Sequence, residues 1–542
     1  MIAWIRKLDT PRGLAAIAAF VCLAVLAATA PGMPIVWDEG EYLGRSDRIA
    51  EWFRLVAHVG AAGGGWHAFS SATIHDYWHF VTVDEGHPAW GGVPIAIATI
   101  LFRGWLHPLT AARMGAMAVF SGACAGVAFR MRAAYGSIAA IVAVAALLTF
   151  PRLFAEAHFA TLDGQLTAWW LLLWACEASG RTGAGAAVSS GVLGGLASAT
   201  KFTGWLAWIP LVIARAASRD RRRVLELMIV IAVGGVTFYL VDPPMWRHPI
   251  ASGVTHLQLN LHRTLNIPIT FLGSTYDLHR PLPWYNTIAW LLMVTPVPLL
   301  LLGGIGAASA ARRRDPVSVS LLLHSAVLMI VRAVPGPPPH DGIRLFLPAF
   351  GFWCVLAGAG AQRAWDTAGA SAPARRLLLG GAMAAGLIGG AINVARYYPQ
   401  TLSHYNLLVG GVRGAAALGM EPTYWWDSLD RKALTWLNEH TAPGERVAFS
   451  STANISMIRG WGWLIPEQAD RRAVFKWYVF QNRTSFLADS DRQLIRTAMP
   501  AYVGYAGDHV PSQVPADLAV PLLYVYSYDQ YRTAIAEVSG SR

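Results

Sequence analysis

Hydrophobic residues fall into long runs, separated by short polar segments, over roughly the first 400 positions of the chain. A helix needs roughly 20 apolar residues to cross a bilayer, and these runs approach that length. They therefore predict an all-α polytopic membrane protein. The runs lie at about residues 14–30, 88–106, 111–129, 134–151, 162–179, 184–200, 203–218, 224–241, 284–306, 316–333, 343–361 and 377–396.

Arginines concentrate in the short segments between these runs, for example at 215–223 and 312–314. Basic loops stay on the cytoplasmic side of a membrane, so we assign these loops and the N-terminus to that side. With this orientation, one of the first two runs after residue 87 does not cross the membrane. The run 88–106 is the better candidate for an interfacial or re-entrant helix, because Pro88 and Pro94 interrupt it. We predict about 11 to 13 transmembrane helices, with about eleven preferred.

The C-terminal part of the chain has a different pattern, with a charge content typical of soluble proteins. It alternates one helical segment with short strand-like segments, which predicts a small α/β domain. The predicted helix is 429–440, and the predicted strands are 446–451, 501–505 and 522–526. We therefore divide the chain into a transmembrane domain at 1–396, with an extracytoplasmic loop at 31–110, and an extracytoplasmic α/β domain at 397–542.

Composition supports the membrane assignment and narrows the class. Of 542 residues, 54% are hydrophobic and 14% charged, against about 25% charged in soluble domains. The net charge of +11 lies mainly in loops, and no nucleic-acid-binding module is visible, so we expect no nucleic-acid partner. The four cysteines lie inside apolar runs without CxxC spacing, which argues against a disulfide framework. The apolar run from Leu14 is longer than in a typical signal peptide, which favours an uncleaved first span. A signal peptide is the alternative, because Ala28-Thr29-Ala30 resembles a cleavage site.

Carboxylates at the ends of the runs are the first candidates for chemistry. The pair Asp38-Glu39 follows the first run and opens a stretch, 40–57, whose apolar residues share one helical face. Ionisable residues at the edge of the hydrocarbon are costly and mark functional sites, whereas a solvated loop carboxylate is the alternative. Asp163 opens a later run. It either caps that helix or joins Asp38 in a site.

Basic residues at the ends of runs are candidate contacts for an anionic ligand, although such residues commonly only extend to the interface. The segment 84–87, Asp-Glu-Gly-His, offers a divalent metal site or, through His87, a phosphate contact. Its irregular spacing is a weak metal signal, and we assign no metal or other cofactor. The basic candidates are Arg113, Arg152, Lys201 and Arg344.

These motifs, in this order, resemble the GT-C glycosyltransferases, in particular the family 39-like group of protein O-mannosyltransferases and lipid A aminoarabinose transferases. The resemblance covers about residues 1–400, and its specific part is the order of short motifs. They are Asp38-Glu39, Glu-x-His-Pro at 85–88, Leu-Asp-Gly at 162–164, Ala-Thr-Lys-x-x-Gly at 199–204, Arg-Pro-Leu-Pro-Trp-Tyr at 280–285 and Gly-Ile-Arg-Leu-Phe-Leu-Pro at 342–348.

The resemblance implies a reaction class and its partners. It implies inverting transfer of a sugar from a polyprenyl-phosphate-linked donor to a protein, lipid or glycan acceptor, at the outer face of a bacterial inner membrane. Asp38 would be the general base, and Glu39 and Asp163 would assist or orient it. The partners would be the donor, the acceptor and membrane lipids.

The resemblance also implies cations around the donor phosphate. Lys201, Arg344, Arg113 and His87 would contact this phosphate and stabilise it as it leaves, since cations at the boundary offset its growing negative charge. The similar region of the aminoarabinose transferases has Lys before the proline, where this chain has His87. The phosphate contact at that position is therefore in doubt.

Two other function classes remain open at this point. A transporter or flippase also carries ionisable residues within the membrane. Transporters often show repeats in both halves, and this chain has its acidic candidates in the first third without a visible repeat. A non-catalytic assembly protein, which holds partners through its outer tail, is the other alternative.

Overall fold

The computed structural model describes residues 9–61, 65–78, 86–216, 221–262, 265–369, 372–507, 509 and 511–540. Helices dominate the chain up to Tyr397. They are α1 (Pro11–Thr29), α2 (Glu39–Ala61), α3 (Ser71–Tyr77), α4 (Gly92–Phe102), α5 (Pro108–Ala134), α6 (Ser137–Thr149), α7 (Pro151–His158), α8 (Leu162–Glu177), α9 (Ala184–Thr200), α10 (Trp208–Ala216), α11 (Arg221–Leu240), α12 (Pro249–Leu261), α13 (Asn286–Val294), α14 (Val297–Arg313), α15 (Pro316–Ala333), α16 (Leu347–Thr367) and α17 (Pro373–Tyr397).

The long apolar helices make the chain a multi-pass membrane protein. Six helices of the described residues are long and apolar enough to cross a membrane, and up to seven if α6 and α7, which bend by 75°, form one span. The run 88–106 forms α4, whose 11 residues are too few to cross a bilayer alone. Several other predicted runs form helices that are short or broken, so the count of 11 to 13 stays a prediction. The six are Pro11–Gly32, Pro108–Ala134, Arg222–Leu240, Pro316–Ala333, Arg344–Thr367 and Pro373–Tyr397.

Helix α8 lies at the centre of the bundle and is buried along most of its length. Trp170 and Trp174 on this helix are fully buried. The indole Nε1 of Trp170 donates a hydrogen bond to His324 Nδ1 of α15 at 2.8 Å. This dense packing holds the first turn of α8, and therefore Asp163, in a defined position.

Helix α16 packs closely against α14 because glycines line both sides of their crossing. A Cβ atom on Gly306 would lie 1.9 Å from the carbonyl oxygen of Leu356, and one on Gly360 would lie 1.9 Å from that of Leu302. Small residues at such positions let helix backbones approach each other. The crossing orients α16, whose N-terminal side carries Arg344.

The tail, residues 397–542, forms a five-stranded sheet within the described residues. Its strands lie in the order β4 (Glu467–Ala469), β3 (Arg446–Ser450), β5 (Trp477–Gln481), β7 (Leu523–Ser527) and β6 (Tyr502–Gly504). Strand β3 is parallel to β4 and β5, while β7 is antiparallel to β5 and β6. A hairpin of β1 (Ile269–Phe271) and β2 (Ser274–Tyr276) precedes it, between α12 and α13. The helices of the tail are α18 (Gly411–Ala417), α19 (Arg431–Glu439), α20 (Ile455–Gly460), α21 (Asp489–Thr497) and α22 (Tyr528–Gly540).

Much of the predicted local structure is present. Helix α2 matches the amphipathic stretch, α19 matches the predicted tail helix, and β3, β6 and β7 match the three predicted strands. The central strand β5 and the edge strand β4 were not predicted. The division of the chain at residue 397 stays a prediction.

The tail packs onto the end of the bundle where α1 ends. The backbone N–H of Trp37 donates to the carbonyl of Trp425 at 3.2 Å, and Asn454 Nδ2 donates to the carbonyl of Val36 at 2.8 Å. The segment between α1 and α2 is therefore covered by tail residues.

Candidate functional site

The candidate site is built where four chain segments meet at one end of the bundle. Asp38 follows α1, and Asp163 lies in the first turn of α8. Lys201 caps the C-terminus of α9 in an extended conformation, and Arg344 precedes α16. Alternating helix directions bring these termini to the same end, so residues far apart in sequence become neighbours.

Arg344 is the centre of the site and binds three carboxylates. Its Nη2 donates to Asp38 Oδ2 at 2.5 Å, its Nε to Asp163 Oδ2 at 2.8 Å, and its Nη1 to Asp341 Oδ2 at 2.7 Å. The guanidinium carbon also lies 3.8 Å from the ring centroid of Trp425. A planar guanidinium suits this role because its N–H groups point in several directions at once.

Asp163 links the second cation to this centre. Lys201 Nζ lies 2.5 Å from Asp163 Oδ1, while Arg344 occupies the other oxygen. The Asp163 side chain is only 3% exposed. The Asp163 carboxylate thus bridges two cations, and its membership of a functional site stays a prediction.

Asp38 and its neighbour Glu39 have opposite surroundings. The Asp38 side chain is 25% exposed, against 9% for Arg344 and 3% for Asp163. Glu39 is fully buried and accepts hydrogen bonds from Arg113 Nε and Nη2 at 2.8 and 2.7 Å and from the backbone of Ala160 at 2.8 Å. Asp38 is thus accessible to a substrate, whereas Glu39 is enclosed.

Arg113 is fully buried, and its contacts use all five N–H groups that an arginine has. Besides Glu39, it binds the carbonyl oxygens of Ala30, Met33 and Pro34, which form the link between α1 and α2. Among the described residues these contacts leave no donor for an external phosphate. Arg113 instead holds this link and Glu39 together.

The His87 segment lies beside the end of α9. The backbone N–H of Trp90 donates to the carbonyl of Ala199 at 3.1 Å, and that of Ala89 donates to Asp242 Oδ1 at 3.3 Å. His87 itself is half-buried. The acidic half of the candidate metal segment, positions 84 and 85, lies outside the described residues.

The site contains residues that were not singled out from the sequence. These residues are Asp341, three positions before Arg344, and Arg483 of the tail. Arg483 Nη2 lies 2.9 Å from Asp341 Oδ1. Although burial opposes ionisation, Arg483 and Arg344 lower the pKa of Asp341 to about 2. No sequence signal links 483 to 341, since tertiary packing alone joins them.

Glu156 and Arg152 are also buried near this site, and Arg152 was among the basic candidates. The Arg152 guanidinium lies 4.8 Å from the ring centroids of Tyr405 and Tyr424, and its Nε donates to the carbonyl of His404 at 3.0 Å. It therefore joins the core of the tail rather than Arg344. Within the described ranges, no group of three or more His, Cys, Asp or Glu side chains is arranged to hold a metal ion.

Comparison with known proteins relates this site to a known fold. No protein-family profile matches the chain, and no curated protein matches its sequence. By structure it resembles ArnT from Cupriavidus metallidurans in the apo state, with a TM-score of 0.52 over 95% of this chain and 98% of that chain at 14% identity. ArnT bound to undecaprenyl phosphate gives a TM-score of 0.50 over 94% and 97% at 15% identity.

A looser match, which supports no conclusion, is the Archaeoglobus fulgidus oligosaccharyltransferase in the apo form, with a TM-score of 0.46 over 88% of this chain and 70% of that chain at 12% identity. ArnT, a lipid A aminoarabinose transferase, has the GT-C fold. The predicted resemblance is therefore confirmed at the level of the fold.

Proposed function

We propose that this GT-C-fold membrane protein is an inverting glycosyltransferase that moves a sugar from a polyprenyl-phosphate-linked donor to an acceptor hydroxyl or phosphate of a protein, lipid or glycan. We also propose that it does so at the outer face of a bacterial inner membrane, with the N-terminus cytoplasmic. The observation that carries the proposal is the single ion-pair network of Asp38, Asp163, Lys201 and Arg344 at one end of the bundle. The fold adds support, because ArnT, which shares it, has been crystallised with undecaprenyl phosphate.

Asp38 is the proposed general base. It is the most exposed of the carboxylates that bind Arg344, so an acceptor can reach it. Asp38 takes the proton of the acceptor hydroxyl, and the acceptor oxygen forms a bond to the anomeric carbon. The bond from that carbon to the phosphate oxygen breaks on the opposite face, and the phosphate leaves with the electron pair. Attack opposite the leaving group inverts the anomeric centre.

Lys201 and Arg344 are the proposed phosphate contacts. In the resting protein both cations pair with carboxylates. Lys201 binds Asp163, while Arg344 donates one N–H to Asp163 and another to Asp38. A donor phosphate competes with these carboxylates for the same cations. We propose that its arrival draws Arg344 away from Asp38, which leaves the base free when the sugar is in place.

The remaining site residues receive supporting roles. Since Arg113 has no donor left for a phosphate among the described residues, we assign it, with Glu39, to holding the link that carries Asp38. His87 is a proposed further phosphate contact, because its segment lies beside the end of α9 that bears Lys201.

The test is sugar transfer by Asp38→Asn in purified, reconstituted protein supplied with a polyprenyl-phosphate sugar and a mixture of candidate acceptors. Loss of a general base lowers the rate by about 10²–10⁴-fold, while binding of undecaprenyl phosphate should persist. The matched control is Asp47→Asn, since Asp47 lies on α2, the helix that follows Asp38, but pairs with Arg103 on the exposed surface.

Normal transfer by Asp38→Asn would refute the role of the base. If the unmodified protein transfers no sugar from any donor, and substrate uptake depends on an ion gradient, the protein is a transporter and the proposed enzyme function is wrong.

A further inference from the structure

Arg483 connects the tail sheet to the candidate site. It lies two residues beyond β5, the central strand of the sheet, and is fully buried. Its guanidinium lies 2.9 Å from Asp341 Oδ1 on one side and over the ring of Trp426, at 3.9 Å from the centroid. The other oxygen of Asp341, Oδ2, accepts a hydrogen bond from Arg344 Nη1 at 2.7 Å. One carboxylate thus joins a tail arginine to the arginine that holds Asp38.

The end of β5 also holds the turn that covers Arg344. Gln481 Oε1 accepts the backbone N–H of Ser428 at 2.8 Å. In this turn Trp425 and Trp426 have φ values of +56° and +58°. Left-handed conformations are strained for side chains this large, and they persist at functional sites only when the surrounding structure enforces them. Trp425 then stacks on Arg344.

We infer that Arg483 is a positioning residue for sugar transfer, an inference that rests on the proposed function. By pairing with one oxygen of Asp341, Arg483 keeps Arg344 extended towards Asp38 and Asp163. Arginine and a carboxylate readily form a two-bond pair. Without Arg483, both oxygens of Asp341 are available to Arg344. The guanidinium then turns towards Asp341 and away from the position beside Asp38 and Asp163 where the donor phosphate would bind it, although Arg483 itself touches no reacting atom.

The experiment compares Arg483→Met with the double variant Asp341→Asn/Arg483→Met in the reconstituted transfer assay. The single variant should lose about 100-fold in kcat/KM, the scale expected when reacting groups are displaced by about 1 Å. The double variant should regain most of this loss, because the neutral amide does not compete for Arg344. A merely structural role predicts the opposite, since the second substitution removes one more buried contact.

A matched control removes an arginine of α17 that pairs with the tail outside the candidate site. Arg396→Met breaks an ion pair with Asp517, whose oxygens lie 2.7 and 3.0 Å from Arg396 Nη2. This variant should keep near-normal transfer. If Arg483→Met transfers sugar at the normal rate, or if the double variant is no better than the single one, the inference is wrong.

Hydrogen exchange tests the same connection without turnover. Arg483→Met should accelerate exchange in the segment 36–42, where the N–H of Trp37 donates to Trp425, and Arg396→Met should not. Unchanged exchange in 36–42 would overturn the inference whatever reaction the protein catalyses. Faster exchange in a protein that transfers no sugar would leave the connection standing and refute the proposed function alone.

Discussion

Arg113 and Glu39 illustrate how a buried charge is tolerated at this boundary. Both side chains are fully buried, and each compensates the other through two short hydrogen bonds. Transferring an ion from water into the protein interior costs several kcal/mol. Substituting one partner of a buried pair therefore lowers the stability of the protein by far more than the net contribution of the pair. Glu39 is therefore enclosed by its ion pair with Arg113, whereas its neighbour Asp38 is partly exposed.

Replacing Arg113 with methionine should destabilise the protein strongly. The uncompensated carboxylate of Glu39 should cost about 3–5 kcal/mol, visible as a large fall in Tm measured by intrinsic fluorescence in detergent. Arg103→Met is the control, because the ion pair of Arg103 with Asp47 is exposed and should contribute about 1 kcal/mol or less. Equal Tm values for the two variants would contradict this account.

Asp427 should make the stability of the protein depend on pH. Burial raises its pKa from 3.8 to about 7, so between these values the folded chain keeps a proton that the unfolded chain has lost. Stability is then highest below the lower value and falls as pH rises through the upper one. In Asp427→Asn, the fall in Tm between about pH 4 and pH 7 should be smaller than in the unmodified protein by roughly 2–4 °C.

The control for Asp427 is an exposed acid of the same tail. Asp529→Asn should leave the pH dependence of Tm unchanged, because its side chain is exposed. A slope that is the same in Asp427→Asn as in the unmodified protein would contradict the burial argument.

Among the helices, the crossing of α14 and α16 determines how the site is presented. The two backbones touch through Gly306 and Gly360, and the segment before α16 carries Arg344. A helix that is displaced at its crossing moves the residue at its end as well. The site therefore depends on close packing deep in the bundle.

A methyl group at this crossing should be poorly tolerated. In Gly306→Ala the added carbon meets the backbone of Leu356 at 1.9 Å, which should cost about 1–3 kcal/mol of stability through overpacking. Gly304→Ala on the same helix has open space around the new atom and is the control. Thermal unfolding of both variants checks the prediction, and a Gly306→Ala protein as stable as its control would show that the helices separate easily.

For the molecule as a whole, the tail and the helix bundle share buried contacts. Arg483 of the tail pairs with Asp341 of the bundle, and Arg152 of α7 donates to the carbonyl of His404 of the tail. Neither part buries these polar groups alone. We therefore interpret the two parts as one cooperative structure around the site.

Calorimetry of the intact protein should show one unfolding transition. Separation of the tail would break the buried ion pair between Asp341 and Arg483, at a cost comparable to that of breaking other buried ion pairs. In Arg483→Met the transition should broaden or divide, because this link is lost. Two well-separated transitions in the unmodified protein would contradict the shared stability.

The sequence by itself determined the class of protein, most helices and the motif order that resembles GT-C glycosyltransferases. Apolar runs and helix-terminal charges act locally, so hydrophobic period and residue type are enough to recognise them. Asp38, Asp163, Lys201 and Arg344 were recognisable because each stands at the end of an apolar run.

Only the tertiary structure decided which charges bind one another. It assigned the five donors of Arg113 to Glu39 and the backbone, and it brought Arg483 to Asp341 from 142 positions away (483 − 341). Strand β5 escaped prediction because its continuous burial follows from sheet neighbours that are remote in sequence. Pairing across such distances depends on the packing of whole elements, and no local pattern encodes it.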